Sequence, residues 1–282
     1  MPPAPGSLEA RVFSVHPGDA LPVPLLALAD ARRFSYVQPA SVSPSLRRTS
    51  APSMKPASLA FLLIVTSAPL AAQSPINVSA LVPRTDSFVV MIQGNPLGFQ
   101  RTTLERTETG LRMIDDVQIG PIMTQHTEVE FGGDGAMRST KQTGQVRGQN
   151  TSIDIAYHDG RAKGSATTPS AAGLVTTPID TTLAAGAIDD NLLTTLLPAL
   201  EWSPTASITL PVFLSGKGYA QPVTLAVRGT QQLTVPAGTF DVYRVELSGG
   251  QASVAMFVTT DATHRLVKIA PRGAPLEFVL AK

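Results

Sequence analysis

The chain has 282 residues, 22 Lys+Arg against 21 Asp+Glu, 43% hydrophobic residues, 24 Pro, 22 Gly and no Cys. The lack of thiols excludes a disulfide framework, a zinc ribbon, an iron–sulfur cluster and a cysteine nucleophile, and a net charge of +1 gives no electrostatic case for nucleic acid. At 15% charged residues the chain is neither disordered throughout nor a polytopic membrane protein.

Residues 1–53 carry nine Pro and the pairs Arg32-Arg33 and Arg47-Arg48, with no sustained apolar period. They read as a disordered or mis-started leader, with translation beginning at Met54. A long twin-arginine leader around Leu46-Arg47-Arg48-Thr49 is a second reading, and a Pro-rich disordered tail a third. Met54-Lys55, the apolar run 59–65, Pro69 and the small residues up to Ala72 then form the three-part layout of a secretory signal peptide over 54–72. The apolar run is far shorter than the ~20 residues that cross a bilayer. This layout predicts cleavage after Ala72 and a periplasmic or extracellular location, with 73–282 as a single β-rich domain. Six of the 22 basic and three of the 21 acidic residues fall in 1–72, which leaves 16 against 18 beyond it, net −2.

Beyond Ala72, turn signals such as Gly94-Asn95-Pro96, Thr109-Gly110, Gly148-Gln149-Asn150 and Asp159-Gly160 separate segments rich in Thr, Val, Ile and Phe. That spacing predicts an antiparallel meander, with strands near 86–93, 97–108, 111–118, 122–131, 136–147, 151–158 and 161–167. Period-2 alternation, as in Ile153, Ile155 and Tyr157 against Asp154 and His158, predicts one apolar and one wet face. Segment 168–187 reads as a long crossover. In 188–200, apolar residues at 188, 192, 193, 196, 197 and 200 follow Asp189-Asp190, which predicts one short amphipathic helix ending at Pro198. Strands resume near 206–214, 222–235, 240–248, 252–260, 265–270 and 275–281. About thirteen antiparallel strands must curl into a deeply curved sheet or a β-barrel-like meander.

The order Asp189-Asp190-Asn191-Leu192-Leu193, Leu210-Pro211-Val212-Phe213, Val235-Pro236-Ala237-Gly238-Thr239-Phe240 and Thr260-Asp261-Ala262-Thr263-His264 resembles a large group of exported bacterial β-rich proteins of unknown function. More distantly, it is similar to periplasmic lipoprotein-carrier folds, in which a curved sheet wraps a hydrophobic cavity. The resemblance implies export and a β-rich domain, and it supplies no catalytic residues. Unlike lipid-modified proteins, the chain has no Cys near its cleavage point.

The chemistry-bearing residues point no further. His126, Glu128 and Glu130 share one strand face, and Asp154 and His158 another; imidazole and carboxylate suit zinc, but such positions also make an ordinary solvated face. There is no Gly-x-Ser-x-Gly elbow. Asp115-Asp116 on a strand must point to opposite faces. The Gly-rich run 131–136 joins two strands and reads as a hairpin rather than a phosphate loop. No catalytic residue, metal ligand or cofactor is therefore assigned, and no ligand-binding residue is named. The expected partner is a lipid or other apolar small molecule held on the concave face beneath the 188–200 segment, near Trp202 and Phe213. The alternatives are a structural or envelope protein-interaction module without ligand, and a hydrolase or metal-dependent enzyme. The last requires two of His126, His158 and His264, or one of them with carboxylates, to converge in a cleft.

Overall fold

The computed structural model describes residues 76–282 apart from 172 and 250–252; the leader and signal-peptide readings lie outside the described residues. The first half of the sheet is a meander of β1 (Arg84–Ile92), β2 (Asn95–Thr107), β3 (Gly110–Ile119), β4 (Met123–Phe131), β5 (Met137–Val146), β6 (Gln149–His158), β7 (Arg161–Ser170) and β8 (Gly173–Thr182). The two-residue β9 (Ile188–Asp189) follows. The second half is β10 (Ser207–Leu214), β11 (Tyr219–Val235), β12 (Gly238–Ser248), β13 (Val254–Thr259), β14 (Leu266–Pro271) and β15 (Leu276–Leu280).

Among the described residues all fifteen strands belong to one sheet, running from β8 back to β1, then from β15 back to β9. Every pairing is antiparallel except β9 with β10. An open sheet of more than ~10 strands curls rather than staying flat, and register shifts at Val90/Met91, Glu130/Phe131, Val227/Thr230 and Phe257/Val258 add local bends.

The thirteen expected strands are all present, but two expectations fail. The 168–187 crossover contains β8, which pairs along its whole length with β7. This strand escapes the sequence pattern because Ile179 alone is buried in it. It is also an edge strand, where Pro178 loses no interior ladder bond. The 188–200 helix is absent. Ile188 and Asp189 form β9, then two 3₁₀ turns follow at Asp190–Leu192 and Leu197–Ala199. The helical stripe misled because both sides of the segment are buried: Asp189, Asp190 and Thr195 are covered along with Leu192, Leu193, Leu196, Leu197 and Leu200. Pro198 adds a missing donor that a continuous helix would need. Since parallel partners need a crossover of a dozen or more residues, 190–206 supplies it, and its apolar side chains fill the inside of the curl.

The ribbon overlaps itself. Leu210, Val212 and Leu214 of β10 point into the main core, together with Phe88, Val90, Met113, Val129, Leu192 and Phe278 among others. Phe213 points the other way and packs with Ile153, Ile155, Tyr157, Ala162, Ala166 and Ile179 of β6–β8. Its ring meets Tyr157 edge-on at 6.0 Å. The inner face of β6–β8 thus covers the outer face of β10. Thr181 Oγ1 ties the overlap by donating to the Gly218 carbonyl at 2.6 Å.

Candidate functional site

Three features of the interior carry chemistry. The first is a cavity of about 320 Å³ at one end of the curl. Its walls are Ile188, Leu192 and Leu196 from the crossover, Phe131 at the end of β4, and Ile76 and Val78 from the segment preceding β1. That segment lies against the crossover through an Ile76–Leu200 bridge and a bond from Asn77 N to the Ala199 carbonyl of 2.7 Å. The 134–136 and 186–187 turns form the rim. Asp134, exposed there, is the sole charged residue in the lining among the described residues, and its Oδ1 accepts from Ala136 N at 3.0 Å. The Gly-rich 131–136 run does join two strands, and the cavity rim it builds was not legible in it.

The second feature is the anchor of the crossover. Asp189, fully buried, caps the 3₁₀ turn by accepting from Asn191 N at 2.8 Å. Its carboxylate also accepts from Asn191 Nδ2 at 2.7 Å, from Thr140 Oγ1 at 2.8 Å and from the Tyr157 hydroxyl. Burial, reinforced by Asp189, raises the Tyr157 phenol above its ordinary range, which keeps it a donor. Asp190 accepts from Ser215 N at 3.1 Å and Ser215 Oγ at 2.8 Å. Burial first, and the Asp189 charge second, hold its carboxyl well above the usual carboxylate range. This network links β5, β6 and the β10–β11 turn with side-chain bonds at the place where the sheet does not close.

The third feature is a polar row across an otherwise apolar inner wall. Asp86, Thr102, Asp115, Thr127 and Gln142 are successive register partners on β1 to β5. Asp86 is held by Arg84 and Arg265, each at 2.8 Å. Asp115 accepts from Gln100 Nε2 at 2.9 Å and Thr102 Oγ1 at 2.5 Å. Although its side chain keeps some solvent contact, protein surrounds it densely, and that desolvation pushes its pKa up to about 6 against the pull of both donors. Gln100 Oε1 and Thr195 Oγ1 are buried here without a hydrogen-bond partner among the described residues. The adjoining pocket, between Asp86, Thr102 and Thr195, has about 20 Å³, the size of one water.

The three histidines singled out as candidate ligands or bases stay apart from one another, and only His126 meets candidate carboxylates, on an exposed strand face. His126 is on the outer face of β4, 2.7 Å from Asp116 and 3.1 Å from Glu128, and those two bonds raise its pKa. His158 is exposed beside Asp159 at 3.1 Å. His264 lies in the β13–β14 turn, with Nδ1 3.3 Å from the Thr259 carbonyl. Asp261 serves that same turn by accepting from Thr259 and Thr263. Among the described residues no three His, Cys, Asp or Glu side chains gather where they could hold a metal. Asp115 and Asp116 do point to opposite faces. Trp202 joins the crossover, its Nε1 donating to the Leu197 carbonyl at 2.9 Å, whereas Phe213 lies on the far side of β10.

A curled, unclosed β ribbon whose interior is filled by its own crossover defines a β-barrel-like class of protein. The chain belongs to the DUF3108 family, a family of proteins of unknown function, whose pattern matches residues 88–272. Two solved structures are similar in outline. A β-barrel-like DUF1849 protein from Brucella abortus has 11% identity and a TM-score of 0.44, over 71% of this chain and 95% of that one. A candidate lipoprotein from Parabacteroides distasonis has 12% identity and a TM-score of 0.24, over 70% and 93%. No curated protein matches. Among the described residues no helix is long and apolar enough to cross a membrane.

Proposed function

We propose that residues 73–282 are a single exported domain, released to the periplasm or the outside after cleavage at Ala72, that binds a small apolar or lipid ligand in the end cavity. The observation that carries this reading is the cavity itself. It lies at the lower end of the ~300–1,000 Å³ range of ligand sites and has the usual apolar wall with a polar rim. The ligand sits beside the crossover at the end of the curl, rather than spread over the concave face, because the crossover fills that face.

The test is native mass spectrometry of protein purified from an exporting host, before and after delipidation, alongside the A136W variant. Ala136 is an exposed rim residue, so the indole narrows the entrance without entering the core. The expected result is an apolar adduct on the parent chain and at least tenfold less on A136W. Protein that is empty throughout and takes up no apolar probe overturns the reading.

One observation favours a second reading, an envelope protein-interaction module. The edge strand β8 exposes Leu174 and Val175 at 43% and 44%, and an unpaired edge is a template for another strand. Site-specific crosslinking from residue 175 separates the two: recovery of a single partner chain supports it, and absence of any adduct removes it.

A further inference from the structure

We infer that the occupant of the end cavity is one apolar molecule of about a dozen carbons ending in a neutral or cationic group, and not in a carboxylate, sulfate or phosphate. This rests on the ligand-binding reading above and goes further by assigning the chemistry of both ends of the ligand.

Volume sets the tail. An apolar cavity of ~150 Å³ holds one benzene, so a space of about 320 Å³ holds roughly twice as many carbons. The walls that would meet the tail are the side chains of Phe131, Ile188, Leu192 and Leu196. None offers a hydrogen bond, so a polar group cannot be satisfied at depth and must stay at the rim.

Charge sets the head. Among the described residues no Lys, Arg or His lines the cavity, and Asp134 is the charged group at the rim. Its position is fixed rather than free to swing away: Oδ1 is held by Ala136 N, and the backbone of Gly132 is so close that a Cβ there would lie 2.3 Å from that oxygen. An anionic head at the entrance would face this carboxylate with no counter-charge among the lining residues. Two like charges ~4 Å apart in water repel enough to weaken binding about fivefold. A hydroxyl or ester carries no such penalty, and an ammonium gains by the same amount.

The experiment is displacement of a fluorescent apolar probe from the full chain by 1-dodecanol, dodecylammonium and dodecanoate, each below its micellar concentration, in low salt. The parent chain should bind dodecanol and dodecylammonium at least fivefold more tightly than dodecanoate. D134N keeps the acceptor for Ala136 N, and it should bring dodecanoate level with dodecanol. D134K should invert the order of the two ions. Dodecanoate binding as tightly as dodecanol in the parent, with no response to D134N or D134K, overturns this inference and leaves the ligand-binding reading standing. Failure of all three compounds to displace the probe, or of the probe to bind, overturns both.

Discussion

Three carboxyl groups set the chemistry of the interior at the scale of single residues. Asp115 has a folded-state pKa of about 6 against an ordinary 3.8. Between those values the folded chain holds a proton that the unfolded chain has released. Stability contributed here is therefore present at low pH and lost as pH rises from about 4 to 6. D115N leaves an oxygen for Gln100 and Thr102 and removes the titration. Chemical denaturation of both proteins at pH 4, 5, 6 and 7 should show a flatter profile for D115N. At pH 7 its stability should be higher by about 1–2 kcal/mol, allowing for the partial solvent contact of the carboxyl. Parallel profiles would contradict this. The neighbouring pair behaves differently. Asp190, held well above the carboxylate range, resembles its own amide, so D190N should change stability by less than about 1 kcal/mol. D189A strands the buried Thr140 and Tyr157 hydroxyls and should cost roughly 3 kcal/mol in the same measurement. Equal effects of D190N and D189A would remove the distinction.

Among the elements, the overlap of β6–β8 on β10 depends on one ring and one glycine. Phe213 is fully buried between the layers, so F213A should cost about 3–5 kcal/mol. Hydrogen exchange should then speed up first in β7 and β8, while β1 and β15 keep their protection; uniform loss across all strands would refute a separate layer. Gly218 adopts a left-handed φ of +75°, and a Cβ there would press on Ile179 at 3.1 Å, which is why no other residue suits that turn. Little of this overlap is legible in the sequence. The thirteen alternating strands are, since period 2 reports which face is covered. Phe213 shows no special mark, because alternation tells that Leu210, Val212 and Phe213 lie on opposite faces but not that both faces are covered. Strand β8 hides for the complementary reason: at an edge, with Pro178 and one buried residue, there is nothing to alternate. The 188–200 segment reads as a helix because an all-buried extended plug and an amphipathic turn put leucines at similar spacings. The polar row escapes entirely, since its five members are scattered over about sixty residues and meet only through strand register.

For the molecule as a whole, the interior divides into regions with separate tasks. The crossover fills the curl, the Asp189 network fastens it where the ladder stops, and the end cavity is left as room. Fastening by side chains rather than by a closed ladder leaves β8 as a free edge and lets the ribbon be longer than a closed barrel of the same girth. The loop around 134 and the segment around 76–78 both line the cavity, and Val78 lies against Gly135, so that part of the wall is made by two stretches of chain that meet through side chains rather than a ladder. Regions of that kind open at lower free energy than a ladder does.

The seam between β1 and β15 has a consequence for how the molecule comes into being. Five register pairs, from Phe88 with Leu280 to Ile92 with Leu276, join the earliest strand to the latest. The meander on each side of it forms from near neighbours, but the join itself must wait until the final strand has emerged. Until then each part presents a bare flank of backbone. Under the export proposed above, a chain threaded through a narrow channel in extended form would meet this requirement naturally, since nothing knits the two flanks together before passage is complete.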